Sequence, residues 1–260
     1  MLTELQLHIG QANGKSAILE SYFTSPLKLG TPNMDGDRLK VVLMMASAGV
    51  LKGDAFQYSI HCDAGTQTFL TEQSYTKIFN TGDGKAEKRQ NIILEESASL
   101  YYRPCAAVPF GGSTYDGTMD VHLKKSSEFL YADIVTAGRV GMGERFCFNH
   151  YRNRICVWEE GRPAWLDHCL LEPENMDLNG MLFFDGHTHQ GTFYYHGSAE
   201  KEEKLLAFLC GEETDGSLHC AQKQCIRYGV SNALSGVCVR ALGHTAQDIE
   251  EFFDELEAVF

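Results

Sequence analysis

Three charged side chains on a glycine-dense turn are the first candidates for chemistry in this chain. They are Asp133, Arg139 and Glu144, within LYADIVTAGRVGMGERFCF at 130–148. Tyr131, Ile134 and Val135 favour a strand. The pattern then breaks at Gly138-Arg139, again at Gly141 and Gly143, and restarts at Phe146. Glycine at that density marks backbone with positive φ or close approach of a second segment. Two carboxylates and a guanidinium there make either an ion-pair knot or a functional site. Buried charges are mostly paired for satisfaction, which puts the structural reading first. His187 and His189 would share a face on a strand, as metal ligands do. Asp185, Gly186 and Thr188 read as a turn instead, and no third ligand accompanies the two, so a structural or surface pair is expected. GQANGKS at 10–16 is one residue short of a P-loop. Strand-like AILESYF follows it, not a helix whose N-terminus would hold phosphate. Asn13-Gly14 reads as a hairpin turn. No G-x-S-x-G occurs, and no Cys-His pair has catalytic local context.

Strands must position these residues. LQLHI at 5–9 alternates apolar and polar, and Val41 to Met45 reads as a buried strand after a loop-rich connection at 22–38. A weak repeat follows. Ile60-His61-Cys62, Ile92-Ile93-Leu94, Val121-His122-Leu123 and Ile155-Cys156-Val157 each end a strand. A four-residue turn then leads into a second strand at 68–70, 100–102, 129–131 and 164–166. Equivalent positions 60, 92, 121 and 155 are 32, 29 and 34 residues apart. Hairpins at such spacing cannot bury their faces alone and are expected to stack. Beyond residue 190, Ser198 caps a helix with Leu205, Leu206, Phe208 and Leu209 on one face. Ile226 to Val230 and Val237 to Leu242 are strand-like, and Thr245 caps a last helix. The expected fold is mainly β, with stacked strands in a β-helical or sandwich-like topology. Residues 1–190 form the β-rich domain, and 191–260 a small α+β region with two helices packed on it.

The formal net charge of −13 leaves no electrostatic footprint for nucleic acid or anionic lipid, and favours basic partners or cations. Nine cysteines, an odd number without C-x-x-C (the closest pair is Cys220 and Cys225), read as thiols in a reducing compartment. MLTELQLHIG has neither a basic n-region nor an apolar h-region. The longest near-apolar run, 41–51, is too short for a bilayer. The chain reads as cytoplasmic.

Several segments, in order, resemble the urease accessory protein D/H family. GRVGMGERF is similar to its GR-x-x-x-GE-x-F signature, TEQSYTKIF (71–79) to its T-x-Q-x-x-x-K segment, and RPCAAVPF (103–110) to its Pro-rich turn. DLNGMLFFDGHTH (177–189) resembles the stretch closing its β-region, and Gly53-Asp54 its GD turn. The resemblance implies a non-enzymatic, β-rich protein of helical topology with two helices near its C-terminus. It implies binding to the accessory protein F, through it to the GTPase G, and docking on apo-urease, with a dimer of heterodimers as one assembly. The implied task is nickel insertion through an internal water-filled passage, with no tightly bound cofactor and nickel in transit. By matched position, Asp54, Thr76, Asp133 and Asp167 are the candidates to line that passage. Lys77, Arg139 and Glu144 fall to structural roles. A conduit must admit a cation yet release it, which suits carboxylates, hydroxyls and water better than thiolate–imidazole clusters. The alternative is a β-solenoid carbohydrate-acting enzyme using paired carboxylates.

Overall fold

Runs of alternating apolar and polar residues become strands, and their apolar faces meet between two sheets. The computed structural model describes residues 1–211, 219–223 and 225–260. Strand β1 (Leu2–Ala12) turns at Asn13-Gly14, both at positive φ, into β2 (Lys15–Phe23). The connection expected to be loop-rich contains two short strands, β3 (Leu27–Leu29) and β4 (Asn33–Asp35), before β5 (Arg38–Met45).

From residue 55 the chain winds in coils. β6 (Ala55–Cys62) belongs to the first sheet, β7 (Gln67–Glu72) to the second, and β8 (Thr76–Ile78) to a short third row. β9 (Ala86–Leu94), β10 (Ser99–Arg103) and β11 (Ala107–Pro109) repeat the path, and β12 (Thr114–Leu123) and β13 (Glu128–Thr136) begin it a third time. Equivalent strands pair in parallel. Ile60 lies beside Ile92, Ile92 beside Val121, and Leu70 beside Tyr102, which lies beside Tyr131. The expected hairpins are therefore arches: each four-residue turn carries the chain from one sheet to the other.

The arches share one conformation. Their third residues, Gly65, Ser97 and Ser126, all have positive φ, at 72°, 58° and 59°. In each, the fourth residue's amide donates to the first residue's carbonyl, at 3.2, 3.0 and 3.1 Å. Only the glycine adopts this backbone without steric cost.

The fourth repeat departs from the expected register, and it alone of the four keeps the expected hairpin. β14 (His150–Glu159) continues the first sheet, but Val157 is the residue beside Val121, and Ile155 pairs with Met119. β15 (Arg162–Leu171) then folds back antiparallel on β14 as a true hairpin and stays in the first sheet. The second sheet is extended instead by β16 (His189–His196), antiparallel to β13. Between β13 and β14 the chain makes a 3-10 turn at Val140–Met142, and the strand expected to restart at Phe146 begins at His150.

Helix α1 (Ala199–Cys210) follows Ser198, whose hydroxyl accepts from the Lys201 amide. Leu205 and Leu209 are buried, while Phe208, expected beside them, is 47% exposed. β17 (His219–Lys223), β18 (Ile226–Asn232) and β19 (Val237–Gly243) extend the second sheet beyond β16, so that sheet crosses residue 190 without a break. The side chain of Cys220 lies outside the described residues. Helix α2 (Ala246–Glu257) lays Ile249, Phe252, Phe253 and Leu256 on the outer face of the second sheet. One apolar core fills the space between the sheets, and a second lies under the helices.

The arch geometry predicts an asymmetry. Gly65→Ala should cost about 1–2 kcal/mol, because a side chain at positive φ is strained. Ser97→Gly, at the equivalent position, should not destabilise. Urea titration reads both.

Candidate functional site

The core between the sheets changes character where β9, β12 and β14 begin. The strand register places Phe56, Lys88, Gly117 and Asn153 in one row of the first sheet. Gly117 leaves a gap there, since a Cβ would stand 2.7 Å from Asn153 Oδ1. Lys88 donates to Glu72 Oε1 at 3.1 Å and to the Tyr102 hydroxyl at 3.4 Å, with its ammonium 4.8 Å from the centre of the Tyr58 ring. Thr76 Oγ1 donates to the other Glu72 oxygen at 3.1 Å, and the Tyr102 hydroxyl donates to Gln90 at 2.9 Å. Farther along, Asp133 Oδ2 accepts from Tyr131 at 3.0 Å and from Asn153 at 3.1 Å. Asp133 sits beside Thr192 and Thr192 beside Arg240 across the second sheet, and Arg240 donates to both Thr192 and Asp167.

Cavities follow these groups. One of about 120 Å³ lies between residues 47–50 and 73–77 and is lined inward by Glu72, Thr76, Lys88 and Tyr115. The same four residues line a second cavity of about 50 Å³, which reaches Asp133 and Asn153. A third, of about 220 Å³ beneath α2, shares Pro104, Cys105 and Ile134 with the second. At about 10–15 Å³ per molecule, each is roomy enough for water.

The electrostatics follow from enclosure. Burial works against the Lys88 ammonium more than any other single influence, but Glu72 together with Tyr102, Tyr58 and Tyr115 outweighs it, so its pKa stands well above the ordinary lysine value. Burial pushes Asp133 up, as does the charge of Asp167, against the pull of Arg240. Asp167 is likewise raised by burial, with Arg240 opposing. Desolvation keeps nearby thiols protonated: half-buried Cys105 is pushed up to about 11 and Cys169 to about 12, and buried Cys238 to about 11. The thiolate is the metal ligand, so these are weak donors at neutral pH.

A polar row with water-sized cavities inside a stacked β-fold can be set beside known proteins. The family model described as UreD urease accessory protein matches residues 2–260. This chain belongs to the UreD urease accessory protein family. It is 35% identical over 251 residues to the urease accessory protein UreH of a Helicobacter pylori strain, covering 94% of this chain and 89% of that one. It is 31% identical over 244 residues to UreH of Helicobacter hepaticus, covering 94% and 92%. It is also 31% identical over 254 residues to the urease accessory protein UreD of Acetivibrio thermocellus, covering 95% and 93%.

Among the residues expected to matter in a UreD-family protein, Thr76 and Asp133 line the second cavity, and Asp167 joins the row through Arg240. Asp54 lies elsewhere. Its carboxylate accepts from the Leu51 amide at 2.9 Å and from the chain's amino terminus at 3.3 Å, which is turn chemistry. Lys77 is exposed near the first cavity. Arg139 pairs with Glu144, not Asp133, through two hydrogen bonds, and its guanidinium carbon stands 4.5 Å from the centre of the Phe110 ring. That pair is partly exposed, so the loss expected for a buried ion pair does not apply to it. His187 and His189 do not converge. His187 stacks on His244 at 4.7 Å, while Nδ1 of His189 meets the Thr188 hydroxyl at 2.9 Å. Sequence reading missed Glu72, Lys88, Asn153 and Arg240. No local pattern marks them, since their partners come from other coils.

Two expectations follow. Lys88→Met strands the largely covered Glu72 carboxylate, 13% exposed, and should cost up to about 3–5 kcal/mol, most of it recovered in Glu72→Gln/Lys88→Met; denaturant titration of the cycle reads the coupling. For Asp133, a folded pKa above the unfolded value of about 3.9 means that the unfolded chain loses its proton first as pH rises. The Asp133 contribution to stability therefore declines from about pH 4 upward until the folded carboxyl has ionised. Asp133→Asn should gain stability relative to the parent over that window, and melting curves at pH 4 to 7 should show it. Parallel curves would contradict the assignment.

Proposed function

We propose that this UreD-family chain is a non-catalytic scaffold for urease maturation. In this reading it binds an F-type accessory protein and, through it, a G-type GTPase, docks on apo-urease, and passes nickel through its interior. The observation that carries the passage is the polar row joining two cavities inside an otherwise apolar core. Glu72 balances Lys88, and Asp167 balances Arg240, which leaves Asp133 as the surplus carboxylate facing the cavity. A divalent cation would meet oxygen donors and water there, with no thiolate to hold it, and would leave as readily as it enters. The carbohydrate-acting alternative has less support. A carboxylate pair for glycosidic cleavage flanks a sugar ring in an accessible cleft, whereas the half-buried Asp133 is held by Tyr131 and Asn153 and Asp167 by Arg240.

Paired variants test the proposal. Asp133→Asn removes charge without volume, and should lower urease activation most when nickel is scarce. Thr76→Trp fills the junction of the two cavities, and should block activation at every nickel concentration. Both should still co-purify with the F-type partner. Full activation by intact, normally melting complexes of both variants would sink the passage. Overpacking at Thr76 would instead show as a loss of about 1–3 kcal/mol in the variant's own stability. Loss of activation by Asp133→Asn at unchanged melting separates function from packing.

A further inference from the structure

A second polar cluster lies on the outside of the first sheet, away from the interior row. β1 and β6 run parallel there with His8 beside His61, and the two imidazoles stack with centroids 5.2 Å apart and planes 10° from parallel. Asp63, the first residue of the arch after β6, is tied to β1 by its amide, which donates to the Ile9 carbonyl at 2.8 Å. Its carboxylate meets His8 Nε2 at 2.9 Å. Gly10 makes room for that carboxylate: a Cβ at residue 10 would stand 2.7 Å from Asp63 Oδ2 and 2.4 Å from Leu19 Cδ1. A bulge in the β1–β2 pairing between His8 and Ile9 falls at the same point, where bulges re-aim side chains. Glu95, from the next arch, reaches His61 Nε2 at 3.2 Å.

We infer that His8, His61 and Asp63 form a site for a divalent first-row transition cation, with Glu95 as a further oxygen donor. One ligand atom from each of the three residues lies within 4.8 Å of the others, and all three side chains are partly exposed. Two separate histidine–carboxylate pairs would need one carboxylate per ring; they would not need both rings and Asp63 to converge. Two imidazoles and a carboxylate suit zinc, nickel or copper and leave coordination positions open for water. The inner side of these strands at this level is filled by Leu7, Ile9, Ile60 and Cys62, so the site has no route into the cavities through the core. The inference does not rest on the passage.

Equilibrium dialysis of the full chain against Ni²⁺ or Zn²⁺ salts tests it. The parent should bind one equivalent more than His8→Ala/His61→Ala, and Asp63→Asn should weaken that equivalent at least about tenfold. Asp133→Asn and His187→Ala should retain it. A measurement on the unaltered protein guards against misfolded variants. Sub-stoichiometric Ni²⁺ should broaden the imidazole signals of His8 and His61 before those of His187 and His244. Equal stoichiometry in parent and double variant, or unperturbed His8 and His61 signals at one equivalent, would overturn the site and leave two surface ion pairs.

Discussion

Parallel register between successive coils is the constraint on which the rest of this structure depends. Ile60, Ile92, Val121 and Val157 form one column, and every residue at a given height in the first sheet is placed by it. A slip of one residue would turn the whole apolar set outward, so the buried face holds the register firmly. The same constraint brings Lys88, Gly117 and Asn153 to one height, though they are 29 and 36 residues apart in the chain. The polar row is thus a product of stacking, and no single segment could build it.

The row is costly to keep. Buried charges lose hydration, and an apolar core of equal volume is often at least as stable. The arrangement limits the loss by pairing Glu72 with Lys88 and Asp167 with Arg240, and by giving Asp133 hydrogen bonds from Tyr131 and Asn153. Half-buried Asp133 still carries a desolvation penalty without a cation of its own in the row. In a fold whose strands elsewhere pack Ile, Leu and Val, a carboxylate at a water-sized cavity is the feature on which the proposed passage rests.

What the sequence made legible was the alternation, the spacing of the turns with the stacking it implies, and both helices. The repeat at 155 illustrates its limit. Ile155 and Val157 share a face, so a shift of two residues leaves the apolar pattern intact and only the pairing with Met119 and Val121 decides. That the first three turns are arches was equally hidden: hairpins were expected at all four, only β14–β15 forms one, and arch and hairpin both need a short polar turn. Thr76 was reached through family resemblance alone, while Asp133 stood out by its residue type and turn context but was set at a passage only by the resemblance. Lys88 and Arg240 sit in strands whose polar residues look like solvent-facing ones. Their partners Glu72 and Asp167 lie 16 and 73 residues away, and no periodicity signals a charge turned inward to meet them.

The central claim is that nickel moves inside this protein and does not pass through bulk water. The most direct measurement loads the G-type GTPase with nickel and assembles it with the F-type partner, this chain and apo-urease. Activation is then triggered in the presence of a chelator too large to enter cavities of this size. The account predicts that urease is activated nearly as well with the chelator as without it. Complete suppression of activation by the chelator in the intact complex would show that nickel leaves the assembly, and would contradict it.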